Sequence, residues 1–293
     1  MGVLMEGLSK PHTKAGRLQR ECLKLLAEHE EDRAIPTSNR FLFYELESRG
    51  IIPKVYRYAD GRPKPRTPSQ DVSDATKHLR ELGVPWDYIV DETRFLQSWP
   101  YAESVYRYVT DALEEARIDL WDGASPPLIL CESRSLAGVL ENIAGTYLCP
   151  IASTNGQVGG FLHTDIAPLV EASGIEPLRV FYFGDLDLSG GHIAENTYDV
   201  LGRYGDLDWK RLAITELQVR EHNLTKIDKK DHRFKPARSF PAYETEALKQ
   251  TQIQQILTTA LQDAAAISVG EAIQEEERQR VNVREMLSSL GDE

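Results

Sequence analysis

The chain has 293 residues, 41% of them hydrophobic and 27% charged, which suits a globular protein with a full core in one large or two ordinary domains. No apolar run is long enough to span a bilayer, and residues 1–14 hold no sustained apolar stretch, so neither a membrane nor a secretory leader is expected. The net charge of −12 excludes a uniformly basic nucleic-acid binder, and Cys22, Cys131 and Cys149 form neither a metal spacing nor a disulfide framework, as expected in a reducing cytoplasm.

Leu18, Cys22, Leu25 and Leu26 recur at helical spacing, which predicts an amphipathic helix over Lys14–Glu31. Pro36-Thr37-Ser38 breaks it and caps a second helix, Asn39–Ser48, which Arg49-Gly50 ends. Residues 51–66 are Pro-rich and basic, carrying Lys54, Arg57, Arg62, Lys64 and Arg66 against Asp60 alone, and read as a loop or small wing. A third helix is expected over 69–82, closed by Gly83. Three helices with a basic excursion suggest a winged-helix (CAP-like) or helix-turn-helix module over residues 1–95. Residues 84–91 read as a turn into a short strand, and 101–117 as a helix within a connection spanning 96–125.

From residue 126 the pattern becomes strand–helix alternation. Strands are expected near 127–131, 148–152, 178–183 and 211–215, and helices near 133–145, 161–173 and 190–203. Two long helices, 246–266 and 268–290, close the chain. The expected fold is therefore α+β and α/β: the helical module first, then a parallel-sheet α/β domain over 126–293. A second basic run, 220–238, includes Arg220, Lys226, Lys229, Lys230, Arg233, Lys235 and Arg238 against three acids. Clustered cations of this kind are expected to contact the phosphate backbone of double-stranded DNA, whatever the net charge.

Two strand ends carry the chemistry. Val180-Phe181-Tyr182-Phe183 is a buried-strand sequence, Gly184 lets the chain leave the sheet, and Asp185 and Asp187 follow at i and i+2. Leu128-Ile129-Leu130-Cys131 is a matching run, and Glu132 follows it, with Ser133 placed to cap the next helix. Functional groups gather at the carboxyl ends of parallel strands, so the three acids are expected to meet. Neither motif contains a basic partner. Hard carboxylate oxygens then suit Mg²⁺ or Mn²⁺, whereas helix capping accounts for one acid but not three.

A Glu after the first strand and Asp-x-Asp after a later one resemble the Toprim domain of topoisomerases, primases and related nucleases. Cys131-Glu132-Ser133-Arg134-Ser135-Leu136-Ala137-Gly138, Gly184-Asp185-Leu186-Asp187-Leu188-Ser189-Gly190, Leu212-Ala213-Ile214-Thr215-Glu216-Leu217-Gln218-Val219 and Glu244-Thr245-Glu246-Ala247-Leu248 resemble segments of the topoisomerase VI A-subunit (type IIB) family over roughly residues 30–265. The chain is compact for that family, and it has Ser133 and Asp-Leu-Asp-Leu where the family often has lysine and Asp-Pro-Asp-Pro.

The resemblance implies a Mg²⁺ site at Glu132, Asp185 and Asp187. It also implies a catalytic tyrosine in an Arg-x-x-aromatic-Tyr pattern, which Arg40-Phe41-Leu42-Phe43-Tyr44 fits. Taken alone, that segment reads as a helix with Phe43 in the core and Tyr44 half-buried. A phenol of pKa near ~10 needs help to act as a nucleophile, and Arg40, one turn away, is the expected helper. The family further implies a homodimer in which the tyrosine of one protomer meets the metal of the other. No nucleotide-binding loop is evident, so any ATP-driven step needs a separate ATPase subunit. The alternatives from the same residues are a Toprim nuclease that activates water and an inactive winged-helix DNA-binding protein.

Overall fold

Helix α1 (Lys14–Glu31) starts at Thr13, whose hydroxyl accepts from Gly16 N at 3.0 Å, and α2 (Asn39–Ser48) starts at Ser38, which accepts from Phe41 N at 3.2 Å. Helix α3 (Pro68–Glu81) begins one residue before its expected start, because Thr67 and Gln70 form a reciprocal capping box and Pro68 is preorganised for the first turn. The apolar stripes of the three helices close one core around Leu18, Cys22, Leu25, Leu42, Leu46 and Leu79. The structure, a computed structural model, describes residues 7–90, 101–155, 160–231 and 238–290. The expected boundary at 95–96, Arg233 and Lys235 lie outside those residues.

The basic stretch 51–66 forms an irregular loop with one isolated antiparallel bridge, Arg57 to Pro63, and no regular strand. The strand expected within 84–91 is a single 3₁₀ turn, Trp86–Tyr88, followed by one parallel bridge from Ile89 to Thr37. Pro85 removes a donor and fixes the entry to that turn, leaving too few residues for a ladder. Helix α4 (Val105–Glu115) lies on the surface with no buried residue.

The second unit contains a four-stranded parallel sheet in the order β2 (Ile151–Ser153), β1 (Leu128–Cys131), β3 (Leu178–Phe183), β4 (Leu207–Ala213). Helices α5 (Arg134–Thr146), α6 (Ala167–Ala172), entered through a π-helical turn, and α7 (Leu188–Leu201) make the crossovers. Successive residues of β1 and β3 face opposite sides, and both sides are buried. Ile129, Cys131, Phe181 and Phe183 pack with Leu136 and Leu140 of α5, while Leu128, Leu130, Val180 and Tyr182 pack with Val200 and Leu201 of α7.

After the sheet come α8 (Glu216–Glu221), an antiparallel hairpin of β5 (Ile227–Asp231) and β6 (Arg238–Ala242), a 3₁₀ turn (Thr245–Ala247), α9 (Gln250–Ala264) and α10 (Val269–Leu290). The hairpin replaces what the sequence presented only as a basic run. No described helix is long and apolar enough to cross a membrane. All three cysteines are free and buried.

The two units are joined through α9. Thr37 Oγ1 donates to Gln250 Oε1 at 2.6 Å, and Gln250 Nε2 donates to Ala34 O at 2.6 Å and Pro36 O at 2.8 Å. Phe41 of α2 is fully buried in the core beneath the sheet. These contacts lay α2 against the end of the sheet from which the acidic residues emerge.

Candidate active site

Cys131 pairs with Phe183 in the parallel register, and Glu132 N donates to Phe183 O at 2.8 Å, so Glu132 and Gly184-Asp185 leave the sheet side by side. Gly184 is required by packing: a Cβ there would lie 2.7 Å from the Tyr182 hydroxyl and 2.9 Å from Glu132 Oε2. Asp185 N donates to Glu132 Oε2 at 2.9 Å. Asp185 Oδ1 accepts from Thr245 N at 2.9 Å and Thr245 Oγ1 at 3.2 Å. Asp187 caps α7 by accepting from Gly190 N at 2.7 Å through Oδ1, which leaves Oδ2 for other partners. Capping is thus one role of Asp187, and it leaves Asp185 and Glu132 still to be accounted for.

The absence of a basic partner within the motifs does not hold in space. Lys229 of β5 places Nζ 2.8 Å from Asp187 Oδ2, 3.5 Å from Asp185 Oδ2 and 3.7 Å from Glu244 Oε1. Burial depresses the Lys229 ammonium, but the aspartates and Glu244 outweigh it and hold its pKa above the ordinary value. Burial likewise pushes Asp187 up, yet the Gly190 N–H and Lys229 bring its carboxyl below the usual range. Glu132 moves the other way: burial first, then the neighbouring Asp185 charge, push it up to about 7. Among the described residues, no three carboxylate, imidazole or thiolate groups stand as a formed metal site. Asp185, Asp187 and Glu244 instead share one ammonium, that of Lys229.

Tyr44 and Arg40 reach this cluster from α2 of the same chain. The Tyr44 hydroxyl donates to Glu244 Oε2, and Lys54 Nζ donates to the same oxygen at 2.9 Å. Burial and the Glu244 hydrogen bond push the Tyr44 phenol above its ordinary pKa, against the pull of Arg40. Arg40 Nε lies 2.8 Å from Glu246 Oε1, and its guanidinium carbon is 5.8 Å from the Tyr44 ring centre. The group that meets the Tyr44 hydroxyl is therefore Glu244, not Arg40. Within the single chain, Tyr44, Glu244, Lys229 and Asp187 already form one chain of contacts, whereas the resemblance implies a meeting across a dimer.

Glu246 is fully buried, accepts from Ser133 Oγ at 3.0 Å and Ser135 Oγ at 3.4 Å, and is pushed up in pKa by that burial despite Arg40. Arg40, Glu132, Asp185 and Glu246, with Arg134 and Asn155, line an open cleft of about 510 Å³. The acids of residues 244–246 were visible in the sequence only as a segment of the resemblance. Their placement depends on the hairpin and on α9, which no local pattern announces.

The residues expected to hold DNA divide into two groups. Lys54 and Lys229 point into the acid cluster. Arg57, Arg62, Lys64 and Arg66 are exposed on the 51–66 loop, where Asp60 pairs with Arg62 at 2.7 Å and Asp71 and Asp74 pair with Arg66. Lys230 belongs to the same strand as Lys229. The loop is thus less positive in effect than its lysines and arginines suggest. No protein-family model, curated protein or solved structure matches the chain.

Proposed function

We propose that the chain is a Mg²⁺-dependent DNA-cleaving protein of the topoisomerase VI A-subunit kind, with a winged-helix unit carrying Tyr44 and a Toprim unit carrying the acids. The observation that carries the reading is the convergence of Tyr44, from one unit, and Asp185, Asp187 and Glu132, from two strand ends of the other, around Glu244 and Lys229. Glu132, Asp185 and Asp187 would hold Mg²⁺ or Mn²⁺, which when bound supplies Lewis-acid stabilisation of charge building on a phosphate. Glu244 would take the Tyr44 proton as the phenolic oxygen attacks phosphorus, and the bond from phosphorus to the sugar oxygen breaks, that oxygen leaving with a proton from water. Arg134, exposed on the cleft wall with no ion-pair partner among the described residues, offers a phosphate contact. A homodimer would match the two antiparallel strands of a duplex, each protomer carrying its own tyrosine and acids. A separate ATPase subunit belongs to the same reading.

A second reading keeps the acids and drops the tyrosine. The raised Tyr44 phenol disfavours the phenolate, and a Glu132 carboxyl near neutrality has the basicity of a group that takes a proton from water. Incubation with supercoiled plasmid and Mg²⁺ or Mn²⁺, stopped with denaturant with or without protease, separates the two. Tyrosine chemistry leaves protein covalently on the DNA end, so mobility changes with protease. Hydrolysis gives protein-free ends, and an intact plasmid under all conditions overturns both.

A further inference from the structure

The start of α1 carries a further set of cations that the candidate site does not use. Residues 9–21 hold Lys10, Lys14, Arg17 and Arg20 against Glu21 alone, in a chain whose net charge is −12. Ser9-Lys10 lies across the first turn of α1, where Gly16 makes room: a Cβ there would sit 2.1 Å from Lys10 O. Arg20 Nη1 fastens this segment by donating to Ser9 O at 2.9 Å and Gly16 O at 2.7 Å. Both acceptors are neutral carbonyls, so they leave the guanidinium charge uncancelled. Lys14 Nζ lies 2.6 Å from Asp71 Oδ2, but Asp71 also pairs with Arg66 and so answers two cations. The side chains of Lys10 and Arg17 are exposed and have no hydrogen-bond or ion-pair partner among the described residues. Lys14, Arg17 and Arg20 line a cleft of about 390 Å³ between α1 and the start of the 51–66 loop, where Ile51, Pro53 and Tyr56 form the facing wall and Glu21 is the one acid.

We infer that this cleft holds a stretch of DNA sugar–phosphate backbone outside the acid cluster, with Arg17 as the phosphate contact. The inference rests on the nucleic-acid reading above and adds to it a second point of attachment. Two observations point to a nucleic-acid backbone. The loop that walls the cleft also serves the candidate site, because Lys54 donates to Glu244 Oε2, the oxygen that meets the Tyr44 hydroxyl. Tyr56 follows Lys54 by two residues, at most about 7 Å along the chain. A polyanion seated at Tyr44 thus passes close to the cleft, whereas a small free anion gains nothing from that proximity. The second observation is the kind of cation on offer. Arg17 is exposed and uncommitted beside an apolar and aromatic wall, which suits a phosphate and the sugar next to it and reads no base edge. Clustered charge of this sort binds by releasing counterions, and the overall acidity of the chain does not cancel it.

The test measures binding of the full chain to a random-sequence duplex by fluorescence anisotropy, in EDTA and again in Ca²⁺, over a series of NaCl concentrations. Arg17→Gln deletes the charge without breaking a contact. It is expected to weaken binding by roughly fivefold near 0.1 M salt, and in EDTA to reduce the slope of log affinity against log salt by about one, the change for a single lost phosphate contact. Arg203→Gln, at an exposed arginine just after α7, is the control and is expected to change neither. Unchanged affinity and slope in Arg17→Gln, with normal binding by the wild type, overturns the inference and leaves the DNA reading standing; a cleft that serves an acidic protein gives this result. An equal loss in Arg203→Gln marks a general effect of net charge and overturns the inference as well. A wild type that binds duplex in neither condition overturns both.

Discussion

Lys229 Nζ lies 2.8 Å from Asp187 Oδ2, tying the β5–β6 hairpin to the turn after β3. That ammonium stands where close carboxylates call for a cation, so it competes with any divalent ion. Lys229→Met is expected to lower thermal stability in EDTA by on the order of 1 kcal/mol, a figure discounted because the lysine is 42% exposed. It is expected to tighten Mg²⁺ binding by roughly fivefold, the affinity equivalent of removing a competitor of that size. Calorimetric titration reads the affinity, and weaker binding by the variant would make Lys229 a support of the site rather than a competitor.

The junction between the units rests on one amide. Gln250 satisfies the Thr37 hydroxyl and the carbonyls of Ala34 and Pro36. Gln250→Leu leaves those groups unpaired in a buried place, at a cost of about 2–3 kcal/mol. Urea denaturation measures it, with exposed Gln255→Ala as a control expected within about 0.5 kcal/mol of wild type. Because Gln250 seats the segment leading into α2, the same change is expected to lower cleavage through misplacement of Tyr44, while Gln255→Ala leaves it unchanged.

Glu132 links the site to pH. Its carboxyl is raised from 4.5 to about 7, so between those values the native state keeps a proton that the unfolded chain has released. The native state then binds more protons, and stability falls as pH rises through that window, levelling above about 7. In EDTA, Glu132→Gln should remove this part of the slope, read as the difference between wild-type and variant urea curves. Stabilisation by Mg²⁺ should grow through the same window, since ligation needs the ionised carboxylate. A wild-type slope identical to that of Glu132→Gln would show that Glu132 titrates normally.

The parts legible in the sequence are those governed by local pattern. Buried β1 and β3 read as apolar runs, and the acids at their ends follow from parallel topology. β4 was placed several residues late because Asp208 and Lys210 interrupt the apolar residues of Leu207–Ala213, as expected of an edge strand with one exposed face. The hairpin has no local signature because Ile227–Asp231 is mostly charged and pairs through its backbone ladder. With the hairpin went the position of Lys229, and with α9 the inward placement of Glu244 and Glu246. Tyr44 was legible through its spacing from Arg40, but its meeting with Glu244 joins residues 200 apart and no periodicity encodes it.

Tyr44→Phe separates the two proposed chemistries. The ring packing stays and one hydrogen bond to Glu244 goes, so stability should fall by about 1 kcal/mol. Covalent protein–DNA adducts should vanish while DNA binding persists. Undiminished plasmid cleavage by Tyr44→Phe would establish the water-activating reading instead.

The cis arrangement gives the sharpest outcome. The Tyr44 hydroxyl, Glu244, Lys229 and Asp187 are connected within one chain, and the Gln250 contacts hold that chain's α2 over its own sheet. A protomer lacking either the tyrosine or the acid therefore lacks a working site, whatever its neighbour carries. When Tyr44→Phe and Asp185→Asn proteins are mixed and subunit exchange is demonstrated with two labels, activity is expected to remain at the sum of the separate variants. The type IIB resemblance implies the opposite result, since a mixed dimer with shared sites would regain one intact site and nick the plasmid. Recovered nicking would mean that α2 exchanges partners on binding DNA and that the single-chain contacts belong to a resting form. The absence of recovery would assign each protomer a complete site, with the dimer serving to pair two strand breaks rather than to build either one.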